Sequence, residues 1–189
     1  MSGPSPYASK VSVPLPPEDE IRKVMGSSYD PKTTLNVIQM FAGTGDMYAA
    51  TIGLVNAVFV AQGISPKARE MIILRSAKVL NCPYEWQANV VFARNVGLSE
   101  GEIAAVSSDG PVSGIDPEYV LLCKATDEMS KTGTLTDATL GEMLTRYDPT
   151  TCRKVNLMIA WFNLLPRFLN ACRVPLETTD KVGSRSSPL

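Results

Sequence analysis

The 189-residue chain contains no histidine. This removes the side chain that titrates nearest neutrality, so imidazole bases and metal sites that require His ligands are excluded. Acid–base work therefore falls to carboxylates, thiols, tyrosines, lysines or water. Charge is also in short supply: charged residues make up 20% of the chain and the net charge is -1. There is no basic run and no interleaving of Arg with aromatics, which argues against nucleic acid or an anionic membrane as partner. No apolar stretch approaches the roughly 20 residues that cross a bilayer. The opening Met1-Ser2-Gly3-Pro4-Ser5-Pro6 lacks the apolar core of a signal peptide. Cys82, Cys123, Cys152 and Cys172 are scattered, with no C-x-x-C pair. They read as reduced thiols in a cytoplasmic protein, with no metal site and no cofactor expected.

What is present is a 44% hydrophobic chain, enough for one ordinary domain with a sizeable core. Residues 1–16 are rich in Pro, Ser and Gly and read as an extended arm. Residues 17–176 read as a single helical domain, and 177–189 as a flexible tail. Asp30-Pro31, Ser65-Pro66, Asp116-Pro117 and Asp148-Pro149 each place a capping side chain before a proline suited to the first helical position. Ser99-Glu100-Gly101-Glu102 has the S-x-x-E form of a capping box and follows Gly97. Apolar residues between these marks recur at helical spacing, as in Ile73/Leu74/Ala77 and Val155/Met158/Ile159/Phe162, and nothing alternates with period two. The expected fold is all-α, with about seven to nine helices at roughly 17–26, 32–43, 46–62, 66–80, 83–96, 100–107, 117–131, 136–146 and 150–172. Pro166 is expected to kink the last.

Chemistry concentrates in Glu70 and in Cys82-Pro83-Tyr84-Glu85-Trp86 followed by Asn89. With Pro83 as the first helical residue, Cys82 becomes the N-cap, where the helix dipole favours thiolate. Glu85 and Asn89 then share a face with Ala88, Phe92 and Val96, an apolar stripe headed by a carboxylate and an amide. A structural alternative stands beside this: first-turn Glu residues stabilise any helix, Cys82 can cap and no more, and Glu70 can pair with Arg69 or Arg75. Asn156, Asn163 and Asn170, seven apart, form a polar stripe suited to a pocket, a subunit contact or solvent. Trp86 and Trp161 suit the core better than a ligand platform, although Trp86 adjoins the constellation and remains a substrate-contact candidate.

Ser65-Pro66-Lys67-Ala68-Arg69-Glu70-Met71-Ile72-Ile73-Leu74, Asn81-Cys82-Pro83-Tyr84-Glu85-Trp86 and Ala93-Arg94-Asn95-Val96-Gly97-Leu98-Ser99 together resemble the carboxymuconolactone decarboxylase family. Its superfamily includes the AhpD-like alkylhydroperoxidases. The resemblance implies an AhpD-like helical bundle that self-associates as a dimer, trimer or hexamer. AhpD-like peroxidases use a C-x-x-C pair, a preceding Glu and a following His. Here Glu70 and Cys82 match the Glu and first Cys, while Glu85 stands at the second Cys. Decarboxylase-type members carry a His three residues after the Y-E-W tryptophan, the position of Asn89. The implied protein is a cofactor-independent small-molecule enzyme catalysing decarboxylation or a related proton-transfer lyase step on a cyclic or polyketide-like acid or lactone. Glu85 is assigned as acid/base, Glu70 and Tyr84 as catalytic partners, and Asn89, Cys82, Trp86, Phe92 and Asn163 as substrate contacts. The alternatives are an isomerase, dehydratase or cyclase on the same scaffold, or a non-catalytic binding protein.

Overall fold

A computed structural model describes Tyr7 and residues 11–189. The regular elements of the described residues are all helical: α1 Glu18–Met25, α2 Asn36–Ala42, α3 Tyr48–Phe59, α4 Pro66–Val79, α5 Pro83–Asn95, α6 Glu100–Val106, α7 Pro117–Thr132, α8 Asp137–Arg146 and α9 Pro149–Cys172, with 3-10 turns at Gly26–Ser28 and Gly45–Met47. Among the described residues no helix is long and apolar enough to cross a membrane. Most of the arm expected over residues 1–16 lies outside the described residues. Its last part runs beside the end of α9, where Val13 N–H donates to the Cys172 carbonyl at 3.0 Å.

The punctuation acts largely as its chemistry dictates. Ser65, Asp116 and Asp148 accept hydrogen bonds from backbone N–H groups in the first turns of α4, α7 and α9, each with proline at the start. Ser99 and Glu102 close a reciprocal capping box at α6. Asp30-Pro31 differs. Asp30 closes a turn instead, its carbonyl accepting from Thr34 N–H at 2.7 Å, and α2 begins only at Asn36. Pro166 lies inside α9 without ending it.

α4 is the hub, packed on α5, α7 and α9. Its residues from Ala68 to Ala77 are buried on every side, the mark of a central helix. Ile72, Ile73 and Leu74 are fully buried, each worth roughly 1.5–3 kcal/mol relative to exposure. Burying α4 also buries its charges. Arg75 answers this with five donated bonds, two to the Asp127 carboxylate and three to the carbonyls of Val106, Ser108 and Gly110. This arrangement fastens α4 to α7 and to the loop after α6.

The segment after α9 packs on the body as a strap, and this includes residues 177–189, expected as a flexible tail. Val174 and Val182 are buried. Gln87 and Glu177 exchange side-chain-to-backbone bonds at 2.9 and 3.2 Å. Asn95 Nδ2 donates to the Gly183 and Arg185 carbonyls, and Arg185 Nη2 to the Thr33 carbonyl at 2.8 Å.

Candidate active site

The α4–α5 turn sets the site. Asn81 adopts φ +49°, the left-handed conformation that asparagine tolerates better than most residues. Cys82 N–H bonds back to the Ala77 carbonyl at 2.8 Å and Asn81 N–H to the Lys78 carbonyl at 3.2 Å, a Schellman closure. Asn170 of α9 donates to the Leu80 and Asn81 carbonyls, clamping the turn from outside. Pro83 then opens α5. The result places Tyr84 and Glu85 in the first turn of α5, buried against the core.

Two carboxyl groups are buried here. Glu70 is wholly buried; its Oε1 accepts from Arg69 Nε at 3.1 Å and its Oε2 has no partner. Burial pushes the Glu70 carboxyl up to about 7, with the Arg69 guanidinium pulling the other way. Glu85 is 1% exposed and neither of its oxygens has a partner. Burial, with repulsion from Glu70 added, holds its carboxyl well above the usual carboxylate range. Arg69 lies 4.4 Å over the Phe59 ring and also donates to the Phe59 and Ser186 carbonyls, so Glu70 is tied through it to α3 and the strap.

Glu85 borders a cavity of about 40 Å³ whose wall is otherwise mostly apolar, including Ile38, Phe41, Phe59, Phe92, Trp161 and Leu165. Pro188 of the strap closes part of its edge. Tyr84, Asn89 and Phe92, expected near a substrate, all line it. Glu70 is near enough to raise the Glu85 carboxyl but is not part of the wall. Tyr84 has its hydroxyl committed, donating to Glu177 Oε1 at 2.5 Å and accepting from Val37 N–H at 2.9 Å. Asn89 Nδ2 donates to the Glu85 carbonyl at 2.9 Å.

Three expected contacts lie elsewhere. Cys82 is buried beside the turn, outside the cavity wall, and its side chain makes no cap bond. The dipole argument for a thiolate is outweighed: burial, followed by the nearby Glu85, pushes the Cys82 thiol up to about 12. Trp86 packs on the smaller core cluster of Met71, Leu74 and Ala93. Asn163 is held within α9, donating to the Ile159 carbonyl and accepting from Arg167 Nη1 at 2.9 Å. Among the described residues no group of three or more acidic or thiol side chains gathers as a metal site.

Two residues at the site escape a reading by sequence. Glu177 accepts from Asn36 N–H at 2.6 Å as well as from Tyr84, and pairs with Lys181 at 2.8 Å. Its only signal is the apolar punctuation of Val174 and Leu176 in a polar segment. Trp161 lines the cavity with a buried indole N–H that has no acceptor.

Residues 45–121 match the carboxymuconolactone decarboxylase family, a span that contains both Glu70 and Glu85. No curated protein matches the chain. Among solved structures, the chain is similar to an uncharacterized peroxidase-related protein with an alkylhydroperoxidase AhpD core from Ralstonia eutropha JMP134. The TM-score is 0.73 at 17% identity, covering 95% of this chain and 100% of that one. It is also similar to a protein of unknown function from Agrobacterium tumefaciens, described as a candidate AhpD antioxidant-defence protein. There the TM-score is 0.63 at 20% identity, covering 78% of this chain and 99% of that one. These likenesses show the all-helical fold, and the similarity to the carboxymuconolactone decarboxylase family rests on the match over residues 45–121.

Proposed function

We propose that the protein is a cofactor-independent enzyme that relocates a proton on a small, largely apolar carbonyl compound, with Glu85 as general acid/base. The observation that carries this reading is the Glu85 carboxyl: buried, unpartnered at both oxygens, and bordering an apolar cavity. A buried polar group without a partner is unfavourable and calls for an explanation. A carboxyl kept protonated by burial donates to a substrate oxygen, and once ionised it accepts a proton from carbon. Glu70 acts behind it as the second carboxylate. Asn89 and Phe92 contact the substrate, and Tyr84 holds the strap to the wall.

Among the described residues the cavity wall contains no Lys or Arg. A substrate carboxylate would therefore enter beside two carboxyl groups without a cation to meet it. This favours isomerisation, dehydration or cyclisation of an uncharged substrate. Decarboxylation is the second reading, favoured by the family match. Loss of CO2 beside a carbonyl leaves an enolate that needs a donor and then a proton, both of which Glu85 can supply. A disulfide-cycling peroxidase, the chemistry suggested by the structural relatives' names, is disfavoured because Cys82 is buried with a raised pKa and Glu85 stands where its partner thiol belongs.

At about 40 Å³ the cavity falls short of the roughly 150 Å³ that takes a benzene ring. A ring-sized substrate thus requires the cavity to widen, and Pro188 of the strap is one of the residues that line it. Self-association is supported by exposed Leu157 and Leu164, seven apart on α9, and by Met47 and Val60 flanking α3.

The test is a mass-spectrometric turnover screen of cyclic enones, β-hydroxy ketones and β-keto acids, run beside Glu85→Gln. A product of unchanged mass, or lighter by one water, that disappears in the variant is the expected result. A product lighter by one CO2 moves the assignment to decarboxylase. Turnover that survives Glu85→Gln overturns the role given to Glu85.

A further inference from the structure

The Trp161 indole is 5% exposed and belongs to the cavity wall, yet its N–H has no acceptor. The rest of its surroundings are apolar: the Phe41 ring centroid lies 6.5 Å from the indole centroid, and Leu165 is one turn along α9. An indole N–H can only donate, and a buried donor left unpaired is costly. The other polar groups of the wall do not remove the deficit. The Tyr84 hydroxyl is taken by Val37 and Glu177, and the Asn89 amide N–H is taken by the Glu85 carbonyl. Glu85 itself has both oxygens unpartnered. Among the described residues the wall therefore offers two buried groups without a partner, the Trp161 N–H and the Glu85 carboxyl, and no Lys or Arg.

We propose that the Trp161 indole N–H is a ligand-binding donor, and that the ligand it selects is an uncharged, predominantly apolar molecule presenting a carbonyl oxygen. This rests on the reading of the cavity as the substrate site and names the substrate class for it. A carbonyl oxygen needs donors only, which Trp161 and a protonated Glu85 supply, whereas its hydrocarbon frame matches Phe41, Phe92 and Leu165. A carboxylate finds the same donor but no counter-charge, and a hydrocarbon leaves the donor unpaired.

The test uses the full chain labelled with 15N at its two indoles, Trp86 and Trp161, the signals being assigned with Trp161→Phe. Three probes of similar shape are titrated: cyclohexanone, methylenecyclohexane and cyclohexanecarboxylate. Cyclohexanone is expected to shift the Trp161 Nε1–H signal downfield in a saturable way and to leave Trp86 unmoved. Methylenecyclohexane is expected to bind without that downfield shift, and cyclohexanecarboxylate not to bind. Trp161→Phe should weaken cyclohexanone about 5-fold to 10-fold, as loss of one neutral hydrogen bond requires, and leave methylenecyclohexane within about 2-fold. Absence of saturable cyclohexanone binding, or binding that leaves the Trp161 signal unmoved, overturns the proposal even if the variant misfolds, because both are read on the unmutated protein. Turnover abolished by Glu85→Gln with an unmoved Trp161 signal overturns this proposal alone. Cyclohexanone seated on Trp161, in a protein whose turnover ignores Glu85→Gln, overturns the acid/base reading and supports this one.

Discussion

Glu70→Gln should make the protein more stable in mild alkali while changing little in mild acid. The Glu70 carboxyl moves from 4.5 to about 7 on folding, because burial outweighs the Arg69 guanidinium. The folded form thus binds the proton more tightly than the unfolded form. Between pH 4.5 and about 7 the native state holds more protons, so stability falls as pH rises and is flat for this group above that window. At 1.36 kcal/mol per unit the loss is about 3 kcal/mol. For a chain of this length it corresponds to roughly 6–12 °C in Tm. Glutamine is nearly isosteric with the protonated acid, so Glu70→Gln should match the unmutated protein at pH 5. At pH 8 it should exceed it by about 3 kcal/mol in urea unfolding. Glu85→Gln should deviate in the same direction, since burial and Glu70 both raise that carboxyl. A variant-to-parent difference that does not change between pH 5 and pH 8, or one that shrinks, would show that the Glu70 carboxyl is not raised by burial.

Other consequences are independent of the carboxyl pair. Arg75→Ala leaves Asp127 without its partner and strips three carbonyls of their donor, costing about 3–5 kcal/mol in denaturant unfolding; a loss under about 1 kcal/mol would contradict the fastening role. Tyr84→Phe removes the donor to Glu177 and the acceptor of Val37 N–H, costing about 1–3 kcal/mol. It should also speed amide exchange over residues 176–188, whereas unchanged exchange there would contradict the latch. With its thiol pushed up to about 12, Cys82 should resist iodoacetamide at pH 8 in the folded protein, and Cys82→Ala should keep turnover within a few-fold. Rapid alkylation of Cys82 would reverse that expectation.

Helix boundaries were legible where a cap and a proline coincide, as at Ser65-Pro66 and Asp148-Pro149, because both effects are local. Asp30-Pro31 carried the same signal and closed a turn instead. Nothing local distinguishes the two outcomes before Leu35 packs into the core and fixes where α2 starts. Pro83 starting α5 put Glu85, Asn89 and Phe92 on one face, and all three line the cavity. That Glu70 of α4 comes near enough to raise the Glu85 carboxyl depends on helix packing that no local signal carries. Cys82 shows the limit of such reasoning: the helix-terminus field was visible in sequence, the stronger desolvation by the assembled core was not. Trp161 and Glu177 were illegible for a related reason. The strap carboxylate of Glu177 finds its partner in Tyr84, 93 positions away, and the Trp161 indole is left without one by a wall assembled from several helices.

The most direct test of the central claim is proton exchange itself. Cyclic ketones are incubated in D2O with the protein or with Glu85→Gln, and deuterium entering the carbon beside the carbonyl is followed by NMR. Exchange is expected to be catalysed by the unmutated protein and reduced by about 100-fold or more in Glu85→Gln, the share typical of a positioned acid/base. Exchange catalysed equally by the two proteins would contradict it.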